Sequence, residues 1–233
     1  MAAVREMAPG LWRWTGRHPE WHPGEFGAEV ASFALREGED TILVDPLVAE
    51  DDEALLGALD AVVRGRLRIF VTIPYHVRSS ELLWGRYRGD REATILGHPN
   101  AAKRLRDASG FRPLTAGTRL RSGVRTHAIG RPRRSEAPLE LPSHRALAFG
   151  DAVVEVGGEL RVWEAPITSE RRRRWYEERL LPSLRALVDL DVERVLVTHG
   201  QPVPENGRAA LARALDRPPW SPRAARQETR ARS

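Results

Sequence analysis

Two short stretches place groups capable of acid–base or metal chemistry at the ends of apolar strands. Ala146–Phe149 runs into Gly150-Asp151, and Arg194–Thr198 runs into His199-Gly200. A carboxylate and an imidazole, each beside a glycine at the end of a buried strand, suggest two groups meeting at one edge of a sheet. Either pair also suits a bland role, since Asp after Gly favours a turn and His-Gly can simply end a strand. A third apolar strand, Arg68–Ile73, leads into Pro74-Tyr75-His76-Val77-Arg78-Ser79-Ser80 and brings a further imidazole and a guanidinium.

The elements that must position these groups can be read along the chain. Ala28–Arg36 and Thr41–Asp45 form two strands joined by Glu37-Gly38-Glu39-Asp40, and Asp45-Pro46 closes the second. Asp51–Val63 has apolar residues at Leu55, Leu56, Leu59 and Val62, a helical spacing behind acidic residues. Ser79–Tyr87 and Asn100–Ala108 also read as helices, with Ala93–Leu96 a short strand between them. Short strands follow at Val124–Ile129, Leu139–Leu141, Ala146–Phe149, Ala152–Val156 and Leu160–Trp163, with Gly157-Gly158 as a hairpin signal. Arg172–Leu190 is helical with a break at Pro182, Arg194–Thr198 is a strand and Gly207–Leu215 a helix.

Composition narrows the function. The 233 residues are 41% hydrophobic and 30% charged, which suits a globular core. The absence of cysteine removes thiolate nucleophiles and thiolate metal ligands. No signal-peptide or membrane-length apolar run occurs, so a cytoplasmic protein is the default expectation. The net charge is +5, but Arg217–Ser233 holds five arginines and one glutamate, a net of +4, leaving the body at +1. That Pro- and Arg-rich stretch reads as a disordered tail on a domain spanning 1–216, and nucleic acid is the least supported partner. Arg171–Arg174 reads as a solvated helix start. His18-Pro19-Glu20-Trp21-His22-Pro23-Gly24 reads as a loop, because its prolines forbid the helix that would align its histidines.

Three segments in order, Thr41–Pro46 (TILVDP), Leu141–Val153 (LPSHRALAFGDAV) and Val195–Pro202 (VLVTHGQP), resemble the metallo-β-lactamase superfamily. The resemblance spans most of residues 10–215. It implies a single-domain four-layer αββα sandwich of mixed α/β character, in which the Gly-Asp aspartate and the late histidine join the ligands of two further motifs to hold two metal ions that activate a water. Family members follow the strand equivalent to RIFVTI with H-x-H-x-D-H, and another loop supplies P-G-H. Here IPYHVRSS replaces the first motif. In one register no ligand survives. Shifted by one, His76 falls on the second histidine, Arg78 on the aspartate and Ser79 on the last histidine. The second motif matches Ile129-Gly130-Arg131.

The resemblance therefore implies a hydrolase-like protein with a degenerate metal site, acting through Asp151, His199 and His76. No cofactor is expected beyond a residual single zinc on those three residues, with His127 near enough in sequence to the Arg131 loop to add a ligand. Arg78, Arg131 and Asp45 are the candidate ligand-binding residues. A guanidinium from Arg78 or Arg131 is expected to replace part of the metal charge by pairing with Asp151, because a buried unpaired carboxylate is costly. The resulting pocket would take a small anionic molecule, either as substrate or as the ligand of a non-catalytic binding protein.

Overall fold

The computed structural model describes residues 3–22, 26–115 and 117–222. Seven strands form the first sheet in sequence order: β1 (Arg5–Ala8), β2 (Leu11–Arg17), β3 (Glu29–Glu37), β4 (Asp40–Val44), β5 (Arg66–Val71), β6 (Ala93–Gly97) and β7 (Phe111–Pro113). Pairing is antiparallel up to β4 and parallel from β4 onward. Helices α1 (Glu53–Val62) and α2 (Ser80–Tyr87) lie in the crossovers that follow β4 and β5. Asp52 caps α1 by accepting from the Leu55 amide, as an acidic N-cap does.

The second sheet contains β8 (Arg125–Thr126), β9 (Leu139–Leu141), β10 (Ala146–Phe149) and, after a hairpin of β11 (Val153–Val156) and β12 (Glu159–Val162), the strand β13 (Arg194–Val197). Its order is β13-β10-β9-β8. Helices α3 (Glu170–Trp175), α4 (Leu181–Arg185) and α5 (Gly207–Leu215) belong to this half, with one π-helical turn, Tyr176–Leu180, between α3 and α4.

Strand side chains alternate between faces, and that period explains the layers. Leu43, Leu67, Ile69 and Val71 pack against Leu55, Leu59 and Leu83 of the first helices. Ile42, Val44 and Phe70, from the same strands, meet Leu139, Leu141, Ala146, Ala148 and Leu196 between the sheets. Leu147, Phe149, Val195 and Val197 turn outward onto Leu180, Leu184 and Leu211. Three apolar layers thus separate four layers of secondary structure, the αββα sandwich expected from the resemblance. Burying each leucine, isoleucine, valine or phenylalanine among them contributes about 1.5–3 kcal/mol.

Several elements depart from the sequence reading. The strands β1 and β2 carry no strong alternation and were not expected; β2 pairs along its full length with β3. Asn100–Ala108 is not an α-helix: a 3₁₀ helix spans Pro99–Arg104 instead, capped by His98 accepting from the Asn100 amide. The Val124–Ile129 strand shrinks to β8. Of the Arg217–Ser233 stretch, the described part packs on the body: the Trp220 amide donates to Val162 O at 2.8 Å, and Ser221 is buried. Residues 223–233 lie outside the described residues. No described helix is long and apolar enough to cross a membrane.

Candidate metal centre

Four strand ends deliver the site. In the first sheet β4 and β5 run parallel with Val44 opposite Phe70, so Asp45 and Thr72 emerge side by side. In the second, β10 and β13 run parallel with Phe149 opposite Val197, which brings Gly150-Asp151 beside Thr198-His199. The sheets are tied together here by the Ala31 amide donating to Thr198 O and the Ala137 amide donating to Thr72 O, each at 2.8 Å. Gly150 is required by this approach, since a Cβ there would lie 2.6 Å from Thr72 Oγ1.

Asp45 is 1% exposed and its carboxylate faces inward. It accepts from the Thr72 amide at 2.8 Å, from Thr72 Oγ1 and, at 2.8 Å, from His76 Nδ1. A carboxylate can only accept, so Nδ1 carries the proton. That turns His76 Nε2 toward Asp151, the orientation a carboxylate gives a metal-binding imidazole. Both Asp45 and Arg78 hold positive backbone φ, 46° and 37°. Such conformations cost about 1–3 kcal/mol in a non-glycine residue and persist where surrounding bonds hold them.

Asp151 Oδ1 lies 3.3 Å from His76 Nε2 and 3.4 Å from His199 Nε2. These are close approaches without hydrogen-bond alignment: Oδ1 is out of solvent contact and accepts no hydrogen bond among the described residues. The three donor atoms all lie within 4.8 Å of one another. Donors around a tetrahedral ion with bonds of about 2.0–2.1 Å stand roughly 3.4 Å apart. Two imidazoles and a carboxylate at this spacing form a group that could hold a metal ion.

The electrostatics agree with that arrangement. Burial and the Arg78 charge disfavour a protonated His76, yet Asp151 and Asp45 outweigh them and lift its pKa to about 9. Burial opposes the Asp151 charge too, but the His76 charge and the His199 imidazole hold its carboxyl well below the ordinary range. Burial pushes His199 down. With no metal bound, the raised His76 pKa stabilises the fold fully below about pH 6.5, the ordinary histidine value, and that stability disappears as pH rises through 9. Chelated protein should therefore lose on the order of 2–3 kcal/mol between these limits relative to a His76→Gln variant. Urea melts across that pH range measure it, and parallel profiles for the two proteins would contradict it.

The other sequence candidates are dispersed. Arg78 lines the same pocket, but its Nη1 donates to Asp45 O at 3.0 Å, and it forms no ion pair with Asp151. Arg131 bonds His98 at 3.2 Å, outside the pocket lining. The expected arginine–Asp151 pair is thus replaced by two imidazoles, which occupy the space around the carboxylate. Asp45 is enclosed and orients His76 rather than facing a ligand. Ser79 Oγ is taken by the Val48 backbone, and His127 pairs with Glu140 at 3.0 Å, so neither joins the group.

Two contributors had no sequence signal. Glu136, fully buried in a loop, accepts from the Gly150 and Ala152 amides at 2.9–3.1 Å and fixes the turn carrying Asp151. Phe26 stacks on the His199 ring at 4.2 Å. The pocket above the group encloses about 450 Å³, with His18, Trp21, Phe26, Tyr75 and Trp163 in its walls. His18 and Trp21 place the start of the His18–Gly24 loop at the pocket; its end lies outside the described residues. Arg78 Nε and Nη2 are shielded from solvent without hydrogen-bond partners among the described residues.

No family model and no curated protein matches the sequence. Solved structures do match. The metallo-beta-lactamase from Pontibacter korlensis is 13% identical, with 94% of this chain and 100% of that chain covered at a TM-score of 0.61. The DIM-1 metallo-beta-lactamase is 12% identical, with 92% and 95% covered at 0.63. A metallo-beta-lactamase family protein from Thermus thermophilus is 18% identical, with 91% and 80% covered at 0.60. At these identities the likeness establishes the fold: this chain has the metallo-β-lactamase fold over more than nine-tenths of its length.

Proposed function

We propose that this chain, built on the metallo-β-lactamase fold, is a hydrolase-type protein working with one metal ion on a small anionic substrate. The observation that carries the reading is the buried Asp151 Oδ1, unbonded yet 3.3–3.4 Å from two imidazole nitrogens. His76, Asp151 and His199 would hold the ion, zinc by donor type, leaving one position open to solvent or substrate. A bound ion of this kind lowers the pKa of water and polarises a carbonyl or phosphoryl oxygen.

The chain's own residues do the rest. Asp45 keeps the proton on His76 Nδ1 and leaves Nε2 free as a donor. Glu136 holds the Gly150–Ala152 turn so that Asp151 points inward. Arg78, in the pocket wall, supplies the positive charge that attracts a carboxylate or phosphate on the substrate. The apolar walls at Trp21, Phe26 and Trp163 exclude water from the bound group.

A second reading has one observation in its favour: the half-buried Arg78 already supplies a positive charge near Asp151, which opposes a divalent cation. It makes the chain a metal-free binding protein for the same anionic ligand. Elemental analysis of protein purified without chelator, with melts plus and minus zinc, separates the two. About one metal per chain and a raised melting temperature are expected from the first reading. No metal and no shift would leave the binding role.

A further inference from the structure

A second cavity adjoins the first, and its chemistry differs. It is lined by Arg104, Arg133, Arg134 and Arg172 with Tyr75, Trp163 and Trp175, and by none of the three metal-site residues. The arginines come from three separate segments: the 3₁₀ helix after β6, the loop after Gly130, and α3. Each of three guanidiniums lies over a ring: Arg104 on Tyr75 at 4.0 Å, Arg134 on Trp163 at 5.5 Å and Arg133 on Trp175 at 5.7 Å.

Charge balance in this groove is incomplete. Glu164 accepts from Arg134 and Arg172, and Glu136 also pairs with Arg134, so these two arginines are compensated. Arg172 is therefore turned inward, unlike its solvated neighbours. Arg104 and Arg133 have no carboxylate partner among the described residues. Tyr75 is 64% exposed, the one large apolar side chain so exposed among the described residues. Arg104 covers only part of that ring, which leaves aromatic surface open for stacking.

Uncompensated guanidiniums and an open ring in one groove call for an anion attached to a planar ring. We propose that this groove is a nucleotide-binding site, with the phosphate held by Arg104 and Arg133 and the ring stacked on Tyr75. Tyr75 and Trp163 line both cavities, so a ligand seated here reaches toward the Arg78 pocket. The site stands without the metal-centre reading, because no metal ligand contributes to it.

Calorimetric titration with adenosine 5′-monophosphate, adenosine and inorganic phosphate tests it, each against chelated and zinc-supplemented protein. The nucleotide is expected to bind at least about tenfold more tightly than either fragment, weakening with salt and equally well with or without zinc. Double replacement Arg104→Ala/Arg133→Ala, at exposed positions, should cost at least about tenfold, and Tyr75→Ala should weaken the nucleotide but not phosphate. Nucleotide binding no better than the fragments, or unchanged in the double variant, would overturn the proposal. Binding that appears only with zinc would move the ligand to the metal centre. Affinity that grows with oligonucleotide length would replace a mononucleotide site by a polymer surface.

Discussion

An Asp151→Asn variant is expected to lose bound metal by at least about two orders of magnitude in affinity. Asp151 is the only anionic donor in the group, and its Oδ1 is the atom both imidazoles approach. An amide keeps the shape but removes the charge that offsets the ion's desolvation, a larger loss than the roughly 10–100-fold typical of an outer partner. The variant has a second readout without metal. Asp151 is one of the two carboxylates that lift His76 to a pKa of about 9, so the imidazole should titrate at lower pH in the variant. Metal competition follows the same logic. Because binding must displace the His76 proton, affinity of the unmodified protein should rise with pH up to about 9. Metal retained at full affinity by Asp151→Asn would place the ion elsewhere.

Glu136→Ala is expected to be the most destabilising single change near the site, costing about 3–5 kcal/mol in denaturant unfolding. The carboxylate is fully buried, accepts from two backbone amides and lies 3.3 Å from Arg134 Nε. Burial raises its pKa, with Arg134 pulling the other way. Alanine leaves two amides unsatisfied and Arg134 with only Glu164 for compensation, while opening space behind Gly150. Since Glu136 holds the turn that aims Asp151, metal affinity should fall with stability, by about 10–100-fold. Glu136→Gln keeps acceptor capacity and should be milder in both respects. A loss below about 1 kcal/mol for the alanine variant, the size of one ordinary hydrogen bond, would show that the turn holds itself.

Most of the layer architecture is legible in the continuous apolar runs of β4, β5, β10 and β13. A strand between two apolar layers needs hydrophobic side chains on each face, and the sequence carries both. Asp151 and His199 are legible for the same reason: a polar residue directly after such a strand lies at the sheet edge. His76 is ambiguous in the sequence because IPYHVRSS fits a ligand motif in no clean register; its role depends on the 3₁₀ turn at Pro74–Val77 and on the Asp45 contact. The arginine–aspartate pairing failed because charge complementarity says which groups attract, not which are within reach. Arg78 reaches the Asp45 carbonyl, and Arg131 reaches His98.

Local pattern is enough to specify the strands, the turns at their ends and therefore the presence of a carboxylate and a histidine at a sheet edge. It operates over a few residues, through side-chain period and backbone preference. The metal group itself depends on parallel registers in two different sheets and on bridging bonds from Ala31 and Ala137. Those relations join segments far apart in the chain and leave no periodic trace in it. The same is true of Glu136, whose value lies wholly in the amides it meets, and of the arginine groove, which three separate segments assemble beside Tyr75.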